Sequence, residues 1–227
     1  MTLFLLFRGL HIGAGFTALL LFWIPMVTKK GGKVHNRVGW IYVWAMGLVS
    51  LSAFYMGAYR IFFDRDADLE RISFSWFLIF IAILSGATAW YGIRVLRFKK
   101  RSGAHRVIPD LFVSGLLLGS GIAIGLYGFT IQSPLITYFP LIGVFLGSVQ
   151  LKYWLRKPTG RMHWFFQHFS GMIGCCIATV TAFLVFGAPR LLQIQSTHLL
   201  LWFLPTIIFV PVIIGFSIYY RRLFSSK

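Results

Sequence analysis

Long apolar runs separated by short charged stretches dominate the chain. Seven runs lie at about residues 3–27, 39–59, 72–97, 110–131, 134–155, 163–187 and 196–220. A helix needs roughly 20 apolar residues to cross the hydrocarbon core of a bilayer, so each run is long enough to span it. Runs such as residues 111–131 and 199–220 are apolar on every face and lack the two-residue alternation of barrel strands. The pattern predicts an all-α fold: a polytopic membrane bundle of seven transmembrane helices, forming one domain over residues 1–227.

Composition supports this membrane assignment. Hydrophobic residues make up 58% of the 227 positions and charged residues only 12%, far from the usual balance of soluble proteins. The N-terminus has no basic segment or small-residue cleavage site, and its apolar run continues to Val27, so a retained first span is expected. Cys175 and Cys176 are adjacent, and neighbours on a helix point about 100° apart. They are therefore expected to be buried free thiols.

The basic residues predict the orientation. Formal net charge is +17, and lysine and arginine concentrate in the loops after the first, third and fifth runs and in the C-terminal tail. The positive-inside rule assigns this side to the cytoplasm, with the N-terminus outside and the C-terminus inside a cell membrane. Anionic lipid headgroups account for these charges, so no nucleic-acid partner is expected. Lys30, Lys100 and Lys157 are the candidate headgroup or anion contacts.

Glycine and proline predict how the helices pack. The fourth run carries Gly115, Gly119, Gly121 and Gly125, which form two G-x-x-x-G pairs, so this run is expected to be the central helix. Pro140 in the fifth run, and Pro205 and Pro211 in the seventh, remove backbone donors. Kinks are expected at these prolines, and a purely structural role would explain them.

All six histidines lie in or beside the predicted spans. Ionisable groups in lipid are costly, and each is therefore a functional hypothesis. His11 and His198 fall in the outer half, beside Arg8, whereas the other four fall in the cytoplasmic half. Axial ligation of a haem or a metal ion would use His11 or His168, with His198 or an inner histidine as partner. Alternatively, a neutral histidine hydrogen-bonded to a neighbouring helix would explain His11, and Arg8 would simply reach the headgroups.

A second metal hypothesis concerns the cytoplasmic half. His35, His105 and His163 each begin a span at the same depth, and their convergence would form a three-imidazole zinc site with an open position. Helix capping or headgroup contact would equally explain them. Asp110 and Gln167 are candidate outer partners of these histidines, and Asp110 also suits a helix first turn without any site. No P-loop, G-x-S-x-G, H-E-x-x-H or C-x-x-C-H motif occurs.

Two segments resemble a known family. The first third contains HIGAGFTAL at residues 11–19 and HNRVGWIY at residues 35–42, and the sixth run contains His163, Trp164, His168, Met172 and ATVTAFLV at residues 178–185. These segments resemble the bacterial membrane family catalogued as domain of unknown function 2306. The resemblance implies a multi-pass bacterial membrane protein with His11, His35, His163 and His168 at the family-motif positions. It implies no activity.

Three functions therefore remain open from the sequence. The first is a histidine-lined membrane protein that binds haem or a metal ion and takes part in redox chemistry. The second is a transporter or a protein that binds lipid or an anionic solute through its kinked seventh helix and its basic cytoplasmic mouth. The third is a zinc-dependent membrane hydrolase that would use the cytoplasmic histidines.

Overall fold

The structure is a computed structural model that describes residues 2–160, 162–193 and 198–225. The protein is 84% helical, and the described residues form no strand. The elements are α1 (Thr2–Leu21), α2 (Trp23–Val27), α3 (Lys33–Phe62), α4 (Leu69–Arg94) with a 3₁₀ turn (Val95–Phe98), α5 (Ile108–Thr130), α6 (Pro134–Tyr138), α7 (Leu141–Leu155), α8 (His163–Ala182), a π-helical segment (Phe183–Gly187), α9 (Ala188–Leu192) and α10 (Leu199–Ser225).

Among the described residues, seven stretches of helix are long and apolar enough to cross a membrane, which confirms the predicted all-α fold with seven helices of membrane-spanning length. They are Thr2–Val27, Lys33–Phe62, Leu69–Phe98, Ile108–Thr130, Pro134–Leu155, His163–Leu192 and Leu199–Phe224. Each predicted run falls on one of them, although α3 and α4 extend into the charged flanks because lysine and arginine are good helix formers. The predicted start of the last run, residue 196, lies outside the described residues, as do Arg161 and Lys227 among the basic residues.

The central helix is α4, and the prediction that the fourth run occupies this position is wrong. In the span that contains α4, 61% of the residues in its apolar stretch are buried, against 22% in the span that contains α5. α4 packs on α3, α5 and α8. Of the two glycine pairs in α5, Gly121 and Gly125 lie against the α6–α7 stretch, but a side chain at Gly115 or Gly119 would meet nothing within 4 Å. Only one pair is therefore used for close helix packing.

The fifth and sixth spans contain irregular backbone. Pro140 separates α6 from α7, as its missing backbone donor predicts. By contrast, α10 continues through Pro205 and Pro211 as one helix. The π-helical segment Phe183–Gly187 interrupts the sixth span, and no pattern in the sequence predicted it. Such segments are uncommon, and those that occur are frequently found at functional sites.

The ends of the helices form two faces. We call one the N-terminal face, where the start of α1 meets the end of α3: the rings of Phe4 and Tyr59 lie 5.2 Å apart. We call the other the basic face, where Lys99 lies over the ring of Trp164 at the start of α8. The loops at residues 28–32, 99–107 and 156–160 all lie on the basic face, so the basic residues cluster as the sequence indicated.

Candidate functional site

A cavity of about 440 Å³ lies in the half of the bundle nearest the N-terminal face. Its walls come from α1, α3 and α4 and from the stretch that joins α8 to α9. They are mostly aliphatic and aromatic side chains, among them Ile12, Phe16, Leu19, Met46, Met56, Leu78, Ile81, Phe183 and Phe186. This volume and lining fall within the usual range of small-molecule binding sites.

Three arginines border this apolar cavity. They are Arg8 from α1, Arg60 from the end of α3 and Arg190 from α9, and all three are exposed. Arg60 lies over the ring of Phe4 and also borders a smaller groove that contains Asp68 and Glu70. Among the described residues, none of the three arginines forms an ion pair. The cavity therefore combines an apolar interior with bordering arginines that form no direct ion pair within the described residues.

His11 is the histidine of this cavity. Its Nδ1 lies 3.1 Å from the carbonyl oxygen of Val49 and 3.0 Å from the hydroxyl of Ser52, both on α3. The Ser52 hydroxyl can donate to the carbonyl of Leu48 at 2.6 Å, so Nδ1–H of His11 is the donor in this group. In the neutral ring, Nε2 then keeps its lone pair. His11 thus fastens α1 to α3 and retains one acceptor for a ligand.

Small residues and the π-helical segment leave the cavity open. Gly15 lines it one turn beyond His11, and a side chain at Gly15 would meet nothing within 4 Å. Phe183, Phe186 and Gly187 of the π-helical segment form the opposite wall. Phe183 and Phe186 are three residues apart, so they share one face of the segment and both border the cavity. The irregular backbone is therefore part of this site.

The predicted pairing of His11 with His198 does not form. His198 is exposed directly before α10 and is not part of the cavity lining. The start of α10 instead packs on α4 and on the π-helical segment, through contacts of Trp202 with Phe77 and Phe186. His11 therefore lacks an imidazole partner in the described part of the chain.

The predicted three-histidine zinc site does not form either. Each imidazole has a different partner: His35 Nδ1 lies 3.0 Å from the carbonyl of Pro25, His105 Nε2 lies 2.8 Å from Asp110, and His163 Nδ1 lies 2.8 Å from the Tyr153 hydroxyl. Across residues 2–160, 162–193 and 198–225, no three His, Cys, Asp or Glu side chains are grouped to hold a metal ion. A similar depth in the membrane does not bring these three histidines together, because their helices begin at different positions around the bundle.

Asp110 is the centre of a buried polar cluster. Its carboxylate is 1% exposed and accepts four hydrogen bonds. Arg94 binds both oxygens at 2.7 Å, Trp90 Nε1 donates to Oδ1 at 3.1 Å, and His105 Nε2 donates to Oδ2. His105 is packed between the rings of Phe98 and Trp154. The contact between Asp110 and His105 that the sequence suggested is present, and its geometry fastens α4 to α5 and to the loop between them.

The remaining inner residues lie near one another at the basic face. The rings of His168 and His35 have centroids 6.3 Å apart, and His168 Nδ1 lies 2.7 Å from the carbonyl of Gly92. Gln167 points to a different neighbour and accepts a hydrogen bond from the Tyr91 hydroxyl at 2.6 Å. The structure thus pairs His168 with another inner histidine, one of the two arrangements that the sequence left open.

The three candidate headgroup lysines differ in their surroundings. Lys30 is half-buried and folds back so that its ammonium donates to the carbonyls of Pro25 and Met26. Burial lowers the pKa of Lys30. Lys100 and Lys157 are exposed in their loops and remain free to contact lipid headgroups. Headgroup binding at these lysines stays a prediction.

Arg60 and Arg190 are the cavity residues that the sequence reasoning missed. Nothing in the sequence shows that the ends of α3 and α9 lie near Arg8. The signal that could have suggested them is positional: each is an arginine at the end of a span on the side otherwise poor in basic residues.

Comparisons with protein-family models, with curated proteins and with solved structures found no match for this chain. The resemblance to the family of unknown function therefore stays a prediction, and the site has to be interpreted from its own geometry.

Proposed function

We propose that the protein binds an amphipathic ligand with one apolar chain and an anionic headgroup, taken from the bilayer into the cavity beside α1. The observation that carries this proposal is the combination of an apolar cavity with three arginines that lack an ion-pair partner in the described residues. This is the lipid-binding alternative of the sequence analysis, with the site at the N-terminal face instead of the basic mouth.

The size of the cavity supports a single chain. A methylene group occupies about the same volume as one water molecule in the liquid, which is about 30 Å³. The cavity of about 440 Å³ therefore has room for about 15 methylene groups. A fatty acid or a lysophospholipid has one chain of this size. A two-chain lipid would fit only with its second chain left in the bilayer.

Selectivity would come from the headgroup. Lipid tails are as apolar as the cavity walls, so moving a chain from bilayer to cavity gains little free energy. Because the arginines are exposed, an ion pair with the headgroup contributes up to about 1 kcal/mol, which is up to about fivefold in affinity for each arginine engaged. The remaining acceptor of His11 would take a hydrogen bond from a hydroxyl of the ligand.

The charge distribution supports an orientation for this site. If the basic face is cytoplasmic, as the positive-inside rule favours, the cavity lies in the outer half of a cell membrane and the C-terminus lies inside. Fusions of green fluorescent protein and of alkaline phosphatase to the C-terminus test this orientation. Fluorescence without phosphatase activity is expected, and the reverse result would contradict it.

A cavity-filling variant tests the proposal. Gly15→Leu adds a side chain to the cavity wall without a clash, whereas Gly13→Leu adds the same side chain to an exposed position of α1 with nothing within 4 Å. Binding of tritiated palmitate and of tritiated oleoyl lysophosphatidylglycerol to the purified protein is measured for both. We expect at least a tenfold loss of affinity for Gly15→Leu and none for Gly13→Leu.

The headgroup contacts need a separate pair of variants. Arg8→Gln combined with Arg190→Gln should weaken binding of both probes by up to about fivefold for each arginine, whereas Arg37→Gln, an exposed residue near the basic face, should not. Folding of every variant is checked by size-exclusion chromatography. Equal affinities for Gly15→Leu and Gly13→Leu, or a neutral alcohol of equal chain length binding as tightly as palmitate, would contradict the proposal.

A further inference from the structure

His35 and His168 form a second site of interest, separate from the cavity. His35 lies in the first turn of α3 and His168 in the second turn of α8, and their ring centroids are 6.3 Å apart with an interplanar angle of 69°. Both imidazoles are half-buried at the basic face. An ionisable residue within a membrane bundle is a functional hypothesis by default, and here two such residues from different helices have neighbouring rings.

The hydrogen bonds fix the same tautomer in both rings. Nδ1 of His35 faces the carbonyl oxygen of Pro25, and Nδ1 of His168 faces that of Gly92. A carbonyl can only accept, so each Nδ1 carries the hydrogen and each neutral ring keeps a lone pair on Nε2. A backbone carbonyl that holds the distal N–H in this way is the usual support of a metal-bound histidine.

The distance between the rings leaves room for one intervening metal ion. Two metal–nitrogen bonds of about 2 Å and two nitrogen-to-centroid distances of about 1.2 Å sum to about 6.4 Å for a linear arrangement. The observed centroid separation is 6.3 Å. The planes of two axial imidazoles can rotate about the common axis, so the angle of 69° is compatible with this arrangement.

The surroundings favour a soft, monovalent ion. Met172 follows His168 by one turn on the same face of α8 and packs, together with Met26, on the buried cluster that contains Cys175 and Cys176. Thioether and thiol groups select Cu(I), and imidazole also binds copper. Lys30 and Lys99 carry positive charge close to the pair, and their repulsion of a divalent ion would be twice that of a monovalent one.

We propose that His35 and His168 bind one Cu(I) ion between their Nε2 atoms at the basic face of the bundle. This site is independent of the ligand in the cavity. Within this site, His35 and His168 are the metal ligands, and Pro25 and Gly92 orient them through their carbonyl groups.

The test uses the full-length protein, purified in detergent under anaerobic conditions with ascorbate. Cu(I) is supplied as its complex with the coloured chelator bathocuproine disulfonate, and transfer to the protein is followed by loss of the colour. We expect one Cu(I) per chain and at least a 100-fold loss of affinity in His35→Ala and in His168→Ala. His163→Ala, a histidine of the same face that is bonded to Tyr153, should bind copper like the wild type.

X-ray absorption supplies a measurement that does not depend on a variant folding. The wild-type Cu(I) complex should show two nitrogen neighbours at about 2 Å, as expected for imidazole ligands. Gly15→Leu should bind copper normally, so failure of the cavity proposal and failure of this one are distinguishable. No copper uptake, unchanged affinity in His35→Ala and His168→Ala, sulfur neighbours alone, or a haem Soret band lost with these two histidines would each overturn the proposal.

Discussion

Asp110→Asn should destabilise the folded protein strongly, because every contact of this carboxylate comes from a donor. Oδ1 accepts from Arg94 and Trp90, and Oδ2 accepts from Arg94 and His105. An asparagine fits the same volume but has an amide nitrogen in place of one oxygen. In either orientation of the amide, its NH₂ group therefore faces two N–H donors, one of which is always Arg94.

The expected loss follows from breaking a buried ion pair. Asp110 is fully buried, and the side chain of Arg94 is 14% exposed. Removing one partner of such a pair costs about 3–5 kcal/mol, since the other charge is left without compensation. The companion variant Arg94→Met should cost a similar amount. The double variant Asp110→Asn with Arg94→Met should cost clearly less than the sum of these two single changes.

The measurement is the free energy of unfolding in mixed detergent micelles, followed by tryptophan fluorescence. Asp66→Asn serves as the matched control, because Asp66 lies exposed in the loop between α3 and α4. A change of at most about 0.5 kcal/mol is expected for this surface substitution. If Asp110→Asn were no more destabilising than Asp66→Asn, the buried cluster would not stabilise the junction of α4 and α5.

Two further predictions concern packing. Gly128→Leu should abolish recovery of monodisperse protein in size-exclusion chromatography, because any side chain at Gly128 would overlap the backbone of Ile136 and Thr137. Gly119→Leu places its side chain in open space and should behave like the wild type, and equal recovery of both variants would contradict the packing of α5 on α6. Cys175 and Cys176 are buried free thiols, so N-ethylmaleimide should label neither in the folded protein and both after denaturation in SDS, as measured by intact mass. Rapid labelling of the native protein would contradict the burial of these two thiols.

The spans were predictable because hydrophobic run length is a local property of the sequence. Each predicted run falls on a helix, and the loops with Lys29, Lys99 and Lys157 lie on one face. Helix neighbours were harder to predict. Glycines made the fourth run look central, but half of its glycine stripe faces open space, and α4 is buried instead through small polar residues such as Ser75 and Ser85.

The site was predictable only in part, for a related reason. A histidine in or beside an apolar run is a candidate functional residue, and this criterion selects His11, His35 and His168 from the sequence. Which of them meet depends on the arrangement of helices around the bundle, and periodicity carries no information about this. The proximity of His35 to His168, the position of Arg190 beside the cavity and the π-helical segment therefore appeared only in three dimensions.

Photo-crosslinking locates the ligand most directly. A fatty acid with a diazirine near the end of its chain is bound to the purified protein and irradiated, and the labelled peptides are identified by mass spectrometry. The account predicts labelling at cavity residues such as Ile12, Met56 and Phe183, suppressed by excess palmitate and by Gly15→Leu. Labelling confined to outward-facing residues such as Phe112 and Leu126, unaffected by either, would contradict the proposed ligand-binding function.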